Sequence, residues 1–281
     1  MDWQILTAIS VLTLSISILL QRVLLHKDKS DPIAYVVIFQ GLVGTLTVFF
    51  AISQGFQMPN FGEYWLPIVA TVVLYSAGHI AYAKTLQTVE ASAFSILFAT
   101  SAIWIMLISF LLFQERLSIE QLIGALLIFA SVGMLAERSG KLKLDKGVLL
   151  GLLTGLLFGL ATVAWVYVGK STDTASWTAL SFLGPSLLVL SINPKCIPKI
   201  KPLLSGRTLA RIIILGSLIS ISTLTLLAAY KIGQASLVAP LQQTSIVITV
   251  LLAIIFLSEK TRLWQKGVAA MVCFFGVLLI L

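Results

Sequence analysis

The sequence predicts an all-α membrane protein in which ten transmembrane helices form two inverted five-helix repeats. Three observations support this fold class: the long apolar segments, the distribution of basic residues among the connectors, and a similarity between the two halves. Of the 281 residues, 58% are hydrophobic and only 11% are charged, whereas soluble domains carry about 25% charged residues. The apolar excess is therefore too large for the core of a soluble domain.

The apolar residues occur in ten long segments with few or no charges. Each has about 18 or more residues, the length that a helix needs to cross a bilayer. The predicted spans are 3–21, 33–53, 65–86, 90–113, 118–136, 147–169, 174–192, 209–230, 235–257 and 264–281. A transmembrane β-barrel would instead show alternating segments of about ten residues. The chain starts with "MDWQ" rather than a basic n-region, so we expect the first helix to remain as a span.

Basic residues are concentrated on one side of the predicted helices. Sixteen of the 19 Lys and Arg residues lie in or beside the odd-numbered connectors, and only Arg116, Lys170 and Lys231 belong to the even-numbered ones. Cytoplasmic loops carry an excess of basic residues, so we expect odd connectors in the cytoplasm and both termini outside a cell (inner) membrane. We call the side with the odd connectors the basic face and the other the opposite face. Topology explains the net charge of +8. The bilayer is thus the expected partner, and no nucleic acid is predicted.

The second half of the chain repeats the pattern of the first. With a constant offset of 144, Ala91, Ser92, Thr100, Ser101, Glu115 and Gln121 align with Ala235, Ser236, Thr244, Ser245, Glu259 and Gln265. After one residue is dropped, Gly124 and Gly133 align with Gly267 and Gly276. The predicted domains are a first repeat over 1–137, a charged linker over 138–146 and a second repeat over 147–281. Five spans is an odd number, so the second repeat enters the membrane in the opposite sense, as in many secondary transporters.

The repeated residues resemble a known family. Ala-Ser, an apolar helix, an acid–base pair ("QERL" at 114–117, "SEKT" at 258–261), then Gln and two Gly look like the EamA repeat. It occurs twice, as in ten-helix members of the drug/metabolite transporter superfamily. The resemblance implies transport of small metabolites, often export of amino acids, by alternating access. The resemblance also extends to relatives that transport nucleotide sugars or drugs. Many members carry a proline where this chain has Ala102 and Ile246.

The sixth predicted helix carries a stripe of small residues. The stretch "GVLLGLLTGLLFGLATVAW" places Gly147, Gly151, Gly155 and Gly159 at every fourth position, on one helix face. In lipid, small residues allow helix backbones to approach closely, so we predict a helix-packing ridge. Static packing, a sliding surface and a pore lining remain alternatives. The first helix offers Ser10, Thr13 and Ser17 instead.

Polar side chains on the third predicted helix mark a candidate substrate site. Polar residues within spans are costly and face the bundle interior. Tyr75, His79 and Tyr82 share one face at i, i+4 and i+7. His79 is a candidate for substrate binding or for exchange of a coupling proton, and the alternative is a hydrogen bond to the backbone of a neighbouring helix.

The ninth and fourth predicted helices supply the other candidates. Gln242, Gln243 and Ser245 follow Pro240 in "APLQQTS", and paired glutamines in a span need either a wet cavity or an interhelix partner. Thr100, Ser101 and Trp104 lie in the fourth helix, and the repeat predicts that Ser101 faces Ser245. Trp104 is expected to be a stacking wall, Glu90 to pair with Lys84 or to act as a gate, and Trp3, Trp65, Trp177 and Trp264 to form an interfacial belt.

Several classes of function are disfavoured by what the sequence lacks. All eleven acidic residues lie near span ends or in connectors, and Cys196 and Cys273 have no metal-ligand or disulfide spacing. We therefore predict no enzyme, cofactor or metal. The expected substrate is a neutral or zwitterionic small molecule, and export is expected. A multidrug, nucleoside or nucleotide-sugar carrier and a non-transporting structural membrane protein remain alternatives, as do a monomer and a homodimer.

Overall fold

The computed structural model describes residues 2–27, 30–113, 118–138, 141–142, 145–169, 171–232, 235–258 and 262–280. The helices are α1 (Trp3–Arg22), α2 (Pro32–Ser53), α3 (Phe61–Thr88), α4 (Ala91–Phe98), α5 (Thr100–Phe113), α6 (Ile119–Ala136), α7 (Lys146–Gly169), α8 (Thr174–Ile192), α9 (Ile197–Ile200), α10 (Gly206–Ile232), α11 (Ala235–Leu257) and α12 (Leu263–Ile280). Two short strands, β1 (Glu137–Arg138) and β2 (Lys141–Leu142), pair antiparallel in the predicted linker.

The all-helical membrane fold predicted from the sequence is confirmed. Within the described ranges, eight helical segments are long and apolar enough to cross a membrane. Shorter apolar segments, Ile119–Met134 and Thr244–Leu257, lie in α6 and α11. With α4 and α5 counted as one interrupted span, these helices account for the ten predicted spans. The short α9 belongs to the connector between α8 and α10.

The two halves interlock with a two-fold pattern of helix contacts. In the first half, α1 packs against α10 and α11 of the second half. In the second half, α7 packs against α3 and the α4–α5 span of the first half in the equivalent way. The pairs α2–α8, α4–α11 and α6–α12 join equivalent helices across the halves. Every one of these contacts is therefore made between repeats.

The fourth span is interrupted, which the sequence analysis did not predict. Helix α4 ends at Phe98 and α5 begins at Thr100. The Thr100 hydroxyl donates to the Leu97 carbonyl at 2.7 Å, and the Ala102 amide bonds to the Ala99 carbonyl at 3.0 Å, the tighter i→i+3 pattern of a 3₁₀ turn. A threonine hydroxyl competes with the backbone for a carbonyl in this way. The interruption needs no proline.

Several polar contacts close the basic face of the bundle. A π-helical turn over Val23–Lys27 follows α1, and there Nδ1 of His26 lies 2.6 Å from the carbonyl of Gln87. The Arg22 guanidinium donates to the carbonyl of Leu86. Outside the spans, Lys199 pairs with Asp31 at 2.7 Å. Burial raises the pKa of Asp31, but hydrogen bonds from Lys199 and two backbone amides outweigh it and leave this pKa below 3.8.

Two of the sequence predictions about surface residues need correction. Trp65 and Trp264 are exposed as belt residues would be, but Trp177 is only 1% exposed and donates to the Trp165 carbonyl at 2.9 Å. The belt prediction is therefore wrong for Trp177. Lys266, counted among the connector residues, is buried in α12 and forms an ion pair with Glu90. The predicted pairing partner of Glu90, Lys84, is not the one that the structure shows.

Candidate functional site

A central cavity of about 530 Å³ lies between the two halves. Eight spans contribute to its wall, four from each repeat. Its lining residues are Leu14, Ile18, Gln21, Phe39, His79, Tyr82, Phe94, Ser95, Phe98, Ala99, Ser101, Ala102, Ile105, Phe158, Thr162, Phe182, Ile219, Thr223, Leu226, Gln242, Ser245, Ile246 and Thr249. This volume is within the range of small-molecule sites, about 300–1,000 Å³.

The structure brings together five of the predicted site residues. His79, Tyr82, Ser101, Gln242 and Ser245 all line the central cavity. The fourth and ninth spans thus contribute Ser101 and Ser245 to one cavity.

The remaining predicted residues lie elsewhere. Tyr75 lines a smaller neighbouring cavity, and its hydroxyl lies 3.4 Å from that of Thr162. Thr100 and Trp104 are not among the residues that line either cavity, and both contact the glycine ridge of α7. The side chain of Gln243 lies outside what the structure describes.

The glycine ridge of α7 packs against the interrupted fourth span. A Cβ added at Gly151 would lie 2.7 Å from the Leu97 side chain, and one at Gly159 would lie 2.9 Å from the Ser101 carbonyl. Added to Gly155, it would collide with the Thr100 hydroxyl. The predicted packing role of the ridge agrees with these contacts, which place it away from the cavity lining.

The orientation of His79 leaves one ring nitrogen available as an acceptor. Its Nδ1 lies 2.8 Å from the carbonyl of Tyr75 in the same helix. Because a carbonyl only accepts, Nδ1 carries the proton. In a neutral imidazole, Nε2 is then an acceptor. The ring is surrounded by Phe39, Phe158 and Phe182 at centroid distances of 6.3, 4.9 and 6.2 Å.

Gln21 is a cavity residue that the sequence analysis missed. Its Nε2 donates to the Tyr82 hydroxyl at 3.1 Å, and its Oε1 accepts from the Tyr35 hydroxyl at 3.0 Å. The network ties α1, α2 and α3 together at the cavity end nearest the basic face. Gln21 stands beside Arg22 at the end of the first predicted span, where a polar residue needs no partner in the membrane. Its sequence position therefore gave no signal.

Two buried polar atoms in the wall have no protein partner among the described residues. These are Oε1 of Gln242 and Oγ1 of Thr249, and both residues line the cavity from α11. Gln242 is 9% exposed and Thr249 is fully buried. A buried polar atom without a hydrogen bond costs about 1–3 kcal/mol. A solute or water that donates hydrogen bonds would recover this energy once these side chains turn toward the cavity, because neither atom has accessible surface in this conformation.

The rest of the wall is largely apolar, with both aromatic and aliphatic side chains, and carries no Asp, Glu, Lys or Arg among its lining residues. Phe94 and Phe98 stack at 5.6 Å, and Tyr82 packs edge-on against Phe94 at 4.5 Å. These phenylalanines are not among the site residues predicted from the sequence. Their i, i+4 spacing would have been a signal, but phenylalanine on a helix face is equally usual in lipid contact. Glu115 and Glu259, which carry the family resemblance, lie outside the described residues.

A second cavity of about 160 Å³ adjoins the central one. It is lined by Tyr75, His79, Phe158, Trp165, Ser181, Phe182 and Thr223. Trp165 donates from its indole nitrogen to the Ser181 hydroxyl at 3.1 Å. No group of His, Cys, Asp or Glu that could hold a metal is found in the described part of the chain.

Two interlocked helical repeats around a central cavity form an architecture that is found in many membrane transporters. The chain matches the sequence profile of the EamA-like transporter family over residues 1–136 and 145–281. It therefore belongs to this family and is a multi-pass integral membrane transporter. The two matched ranges correspond to the two halves of the structure.

The chain is also similar to a curated protein and to a solved structure. An uncharacterized protein of Methanocaldococcus jannaschii is 29% identical over 138 residues, which cover 49% of this chain and 97% of that relative. The relative thus has about the length of one repeat. A crystal structure of a protein with 19% identity aligns with 97% of this chain and 96% of its own, with a TM-score of 0.66. At this identity the likeness shows the fold alone.

Proposed function

We propose that this transporter moves a small neutral or zwitterionic solute, such as an amino acid, by alternating access, and that it is an exporter. The observation that carries the proposal is that Oε1 of Gln242 has no hydrogen-bond partner among the described residues and belongs to a cavity wall whose described lining includes no Asp, Glu, Lys or Arg. An uncharged wall gives no counter-charge for a strongly charged solute, whose burial would be costly. A solute with hydrogen-bond donors would fit it better.

The proposed site has a polar side and an aromatic side. Gln242 Oε1 and His79 Nε2 would accept hydrogen bonds from the solute, and the Thr249 hydroxyl would accept or donate. Phe39, Phe98 and the other rings would contact its apolar part. The two-fold contacts between halves support alternating access, because each half can rock against the other around the cavity that they share.

A nucleoside is a second candidate, because the phenylalanine-rich wall would stack against a nucleobase. A nucleotide sugar fits less well, since the lining residues include no Lys or Arg for its phosphates. A binding experiment with a panel of amino acids, nucleosides and cationic drugs can distinguish these candidates.

The experiment is thermal unfolding of the detergent-purified protein with that panel of solutes. A ligand that binds the folded state raises its unfolding temperature. We expect one uncharged class to stabilise the wild type, and we expect Gln242→Leu and His79→Ala to lose the shift. Gln40→Leu is the matched control, because Gln40 is also a buried glutamine with unpartnered amide atoms but does not line the central cavity. Equal shifts in all four proteins would refute the proposed site.

We also propose that the opposite face is extracytoplasmic, with both termini outside. Met58 lies in the connector between α2 and α3 on that face and is 65% exposed. In cells, a Met58→Cys variant should react with a membrane-impermeant thiol reagent. Exclusive reaction in inside-out vesicles would reverse the proposed orientation.

A further inference from the structure

The central and the smaller cavity are separated by a wall of rings. His79, Phe158 and Phe182 line both cavities, together with Thr223. The His79 ring lies 4.9 Å from that of Phe158 and 6.2 Å from that of Phe182. Because the same side chains face both volumes, a movement of these rings would join them.

Phe158 is the best-defined part of this wall. Its ring lies over Gly78, where an added Cβ would be 3.1 Å from two ring carbons. Its other neighbours are the rings of Tyr75 at 5.5 Å and Phe98 at 5.1 Å. Phe158 thus bridges α7 to the third and fourth spans at the boundary between the two cavities.

The smaller cavity lies on the side of the opposite face. Gln21, at one end of the central cavity, precedes the end of α1 at Arg22 on the basic face. Trp165, in the smaller cavity, lies four residues before the end of α7 at Gly169 on the opposite face. Beyond it, buried Trp177 donates to the Trp165 carbonyl. The central cavity also reaches toward the opposite face at Leu226, six residues before the end of α10 at Ile232, so the smaller cavity lies beside this part of it and extends toward the opposite face at Trp165.

The two cavities differ in whether their polar groups are hydrogen-bonded. In the smaller one, Trp165 and Ser181 bond to each other, and the Tyr75 hydroxyl contacts Thr162. In the central one, Gln242 Oε1 and Thr249 Oγ1 have no such partner within the described structure. The smaller cavity offers fewer unmet hydrogen bonds to a solute, which suits passage better than retention.

We propose that the smaller cavity is the route of the solute between the central cavity and the opposite face, and that Phe158 is the partition that controls entry to it. This inference rests on the proposed function, in which the central cavity holds the solute. The route admits solutes whose width allows them past the Phe158 ring. Phe158 thus determines specificity by controlling entry, in addition to being one of the rings that line the central cavity.

The test measures access to the central cavity without any solute. A reporter cysteine replaces Ser245 in a chain in which Cys196 and Cys273 are changed to Ser and Ala. A membrane-impermeant methanethiosulfonate is added at the opposite face, and the rate of thiol modification is measured. We expect Phe158→Ala to raise this rate several-fold and Phe158→Leu to raise it less. The control is Phe98→Ala, which removes a ring that lines only the central cavity.

The variants distinguish a specific effect of Phe158 on access from a general loosening of the helix packing. An equal rise in Phe98→Ala and Phe158→Ala, or no rise in either Phe158 variant that folds, would overturn the inference. Phe158→Leu keeps much of the apolar volume and carries the test if Phe158→Ala does not fold. The reaction needs no solute, so its failure leaves the thermal-shift test of the proposed function unaffected. Conversely, a failed solute panel would not alter these rates.

Discussion

Helices α1 and α7 occupy equivalent places in the two halves but contact their neighbours through different chemistry. In α7, Gly147, Gly151, Gly155 and Gly159 face the α3–α4 junction and the interrupted fourth span. In α1, the surface that faces α10 and α11 is rich in serine. Ser10 Oγ lies 3.1 Å from Ser222 Oγ of α10, and other α1 hydroxyls bond within the helix or to α11.

The difference shows that one packing geometry can be reached by two routes. Glycine permits close approach because it has no side chain, and the gain is van der Waals contact. Serine permits a slightly wider approach and adds directional bonds, such as the one from Ser15 Oγ to the Ser245 carbonyl at 3.4 Å. We therefore expect the α7 surface to be sensitive to added volume and the α1 surface to loss of polarity.

The largest effect is expected from Gly159→Ala. Its Cβ would lie 2.6 Å from the Cβ of Trp104 and 2.9 Å from the Ser101 carbonyl, so no flexible side-chain end can yield. Overpacking of this kind costs about 1–3 kcal/mol. A lower unfolding temperature in detergent would show it. Gly267→Ala is the control, because a Cβ there meets no atom of the described residues within 4 Å; an equal loss in both variants would contradict a special role for the ridge.

A smaller effect is expected from Gly151→Ala. The atom nearest to its Cβ is the Leu97 Cδ1, at 2.7 Å, which is the flexible end of a side chain. The double variant Gly151→Ala/Leu97→Ala should lose less stability than the sum of its single variants, since residues in contact are coupled. Simple additivity in unfolding measurements would show that the two side chains do not compete for this space.

Much of the fold, including this ridge, could be predicted because hydropathy and glycine spacing are local properties. The spans follow from segment length, and a repeat with an odd number of spans requires inversion. The ridge was visible in four positions of one helix. The interruption of its partner span at Ala99 was not visible, because the residues there include no proline and the Thr100 hydroxyl bonds the Leu97 carbonyl only in the folded structure.

The site could be predicted only in part. His79 and Gln242 are polar groups within spans. The free-energy cost of placing a polar group in a membrane is enough to mark them as candidates for the site. Phe158 and Gln21 carry no such mark, because an apolar residue in a span and a polar residue at a span end are both ordinary. They become part of the site only because helices that are far apart in the chain pack together around them. Trp177 shows the converse, since a tryptophan near a span end was expected at the lipid interface but is buried.

On the α1 surface, Ser222→Ala should destabilise the protein by about 0.6 kcal/mol, the average for an interhelix hydrogen bond in a membrane protein. It removes the contacts of the Ser222 hydroxyl with the Ser10 hydroxyl and with the Ser10 carbonyl at 3.0 Å. The control is Thr225→Val, since that hydroxyl bonds only within its own helix in the described structure. A larger loss in Thr225→Val than in Ser222→Ala would contradict the proposed difference between the two surfaces.

The smallest expected effect is a change of stability with pH, which we expect for an ion pair between connectors but not for the contact surfaces of α1 and α7. The residues that form these two contact surfaces do not titrate, so the destabilisation by Gly159→Ala and by Ser222→Ala should not change as the pH is lowered. The Asp31–Lys199 pair should respond, because the pKa of Asp31 is lowered below 3.8. Its contribution is present above that value and is lost as the pH falls through the lowered pKa. Both side chains are partly exposed, at 24% and 61%, so the contribution is small.

The stability of Asp31→Asn should therefore differ slightly from that of the wild type at neutral pH and converge with it in acid. A difference that instead grows in acid would show that the pair does not stabilise the folded state.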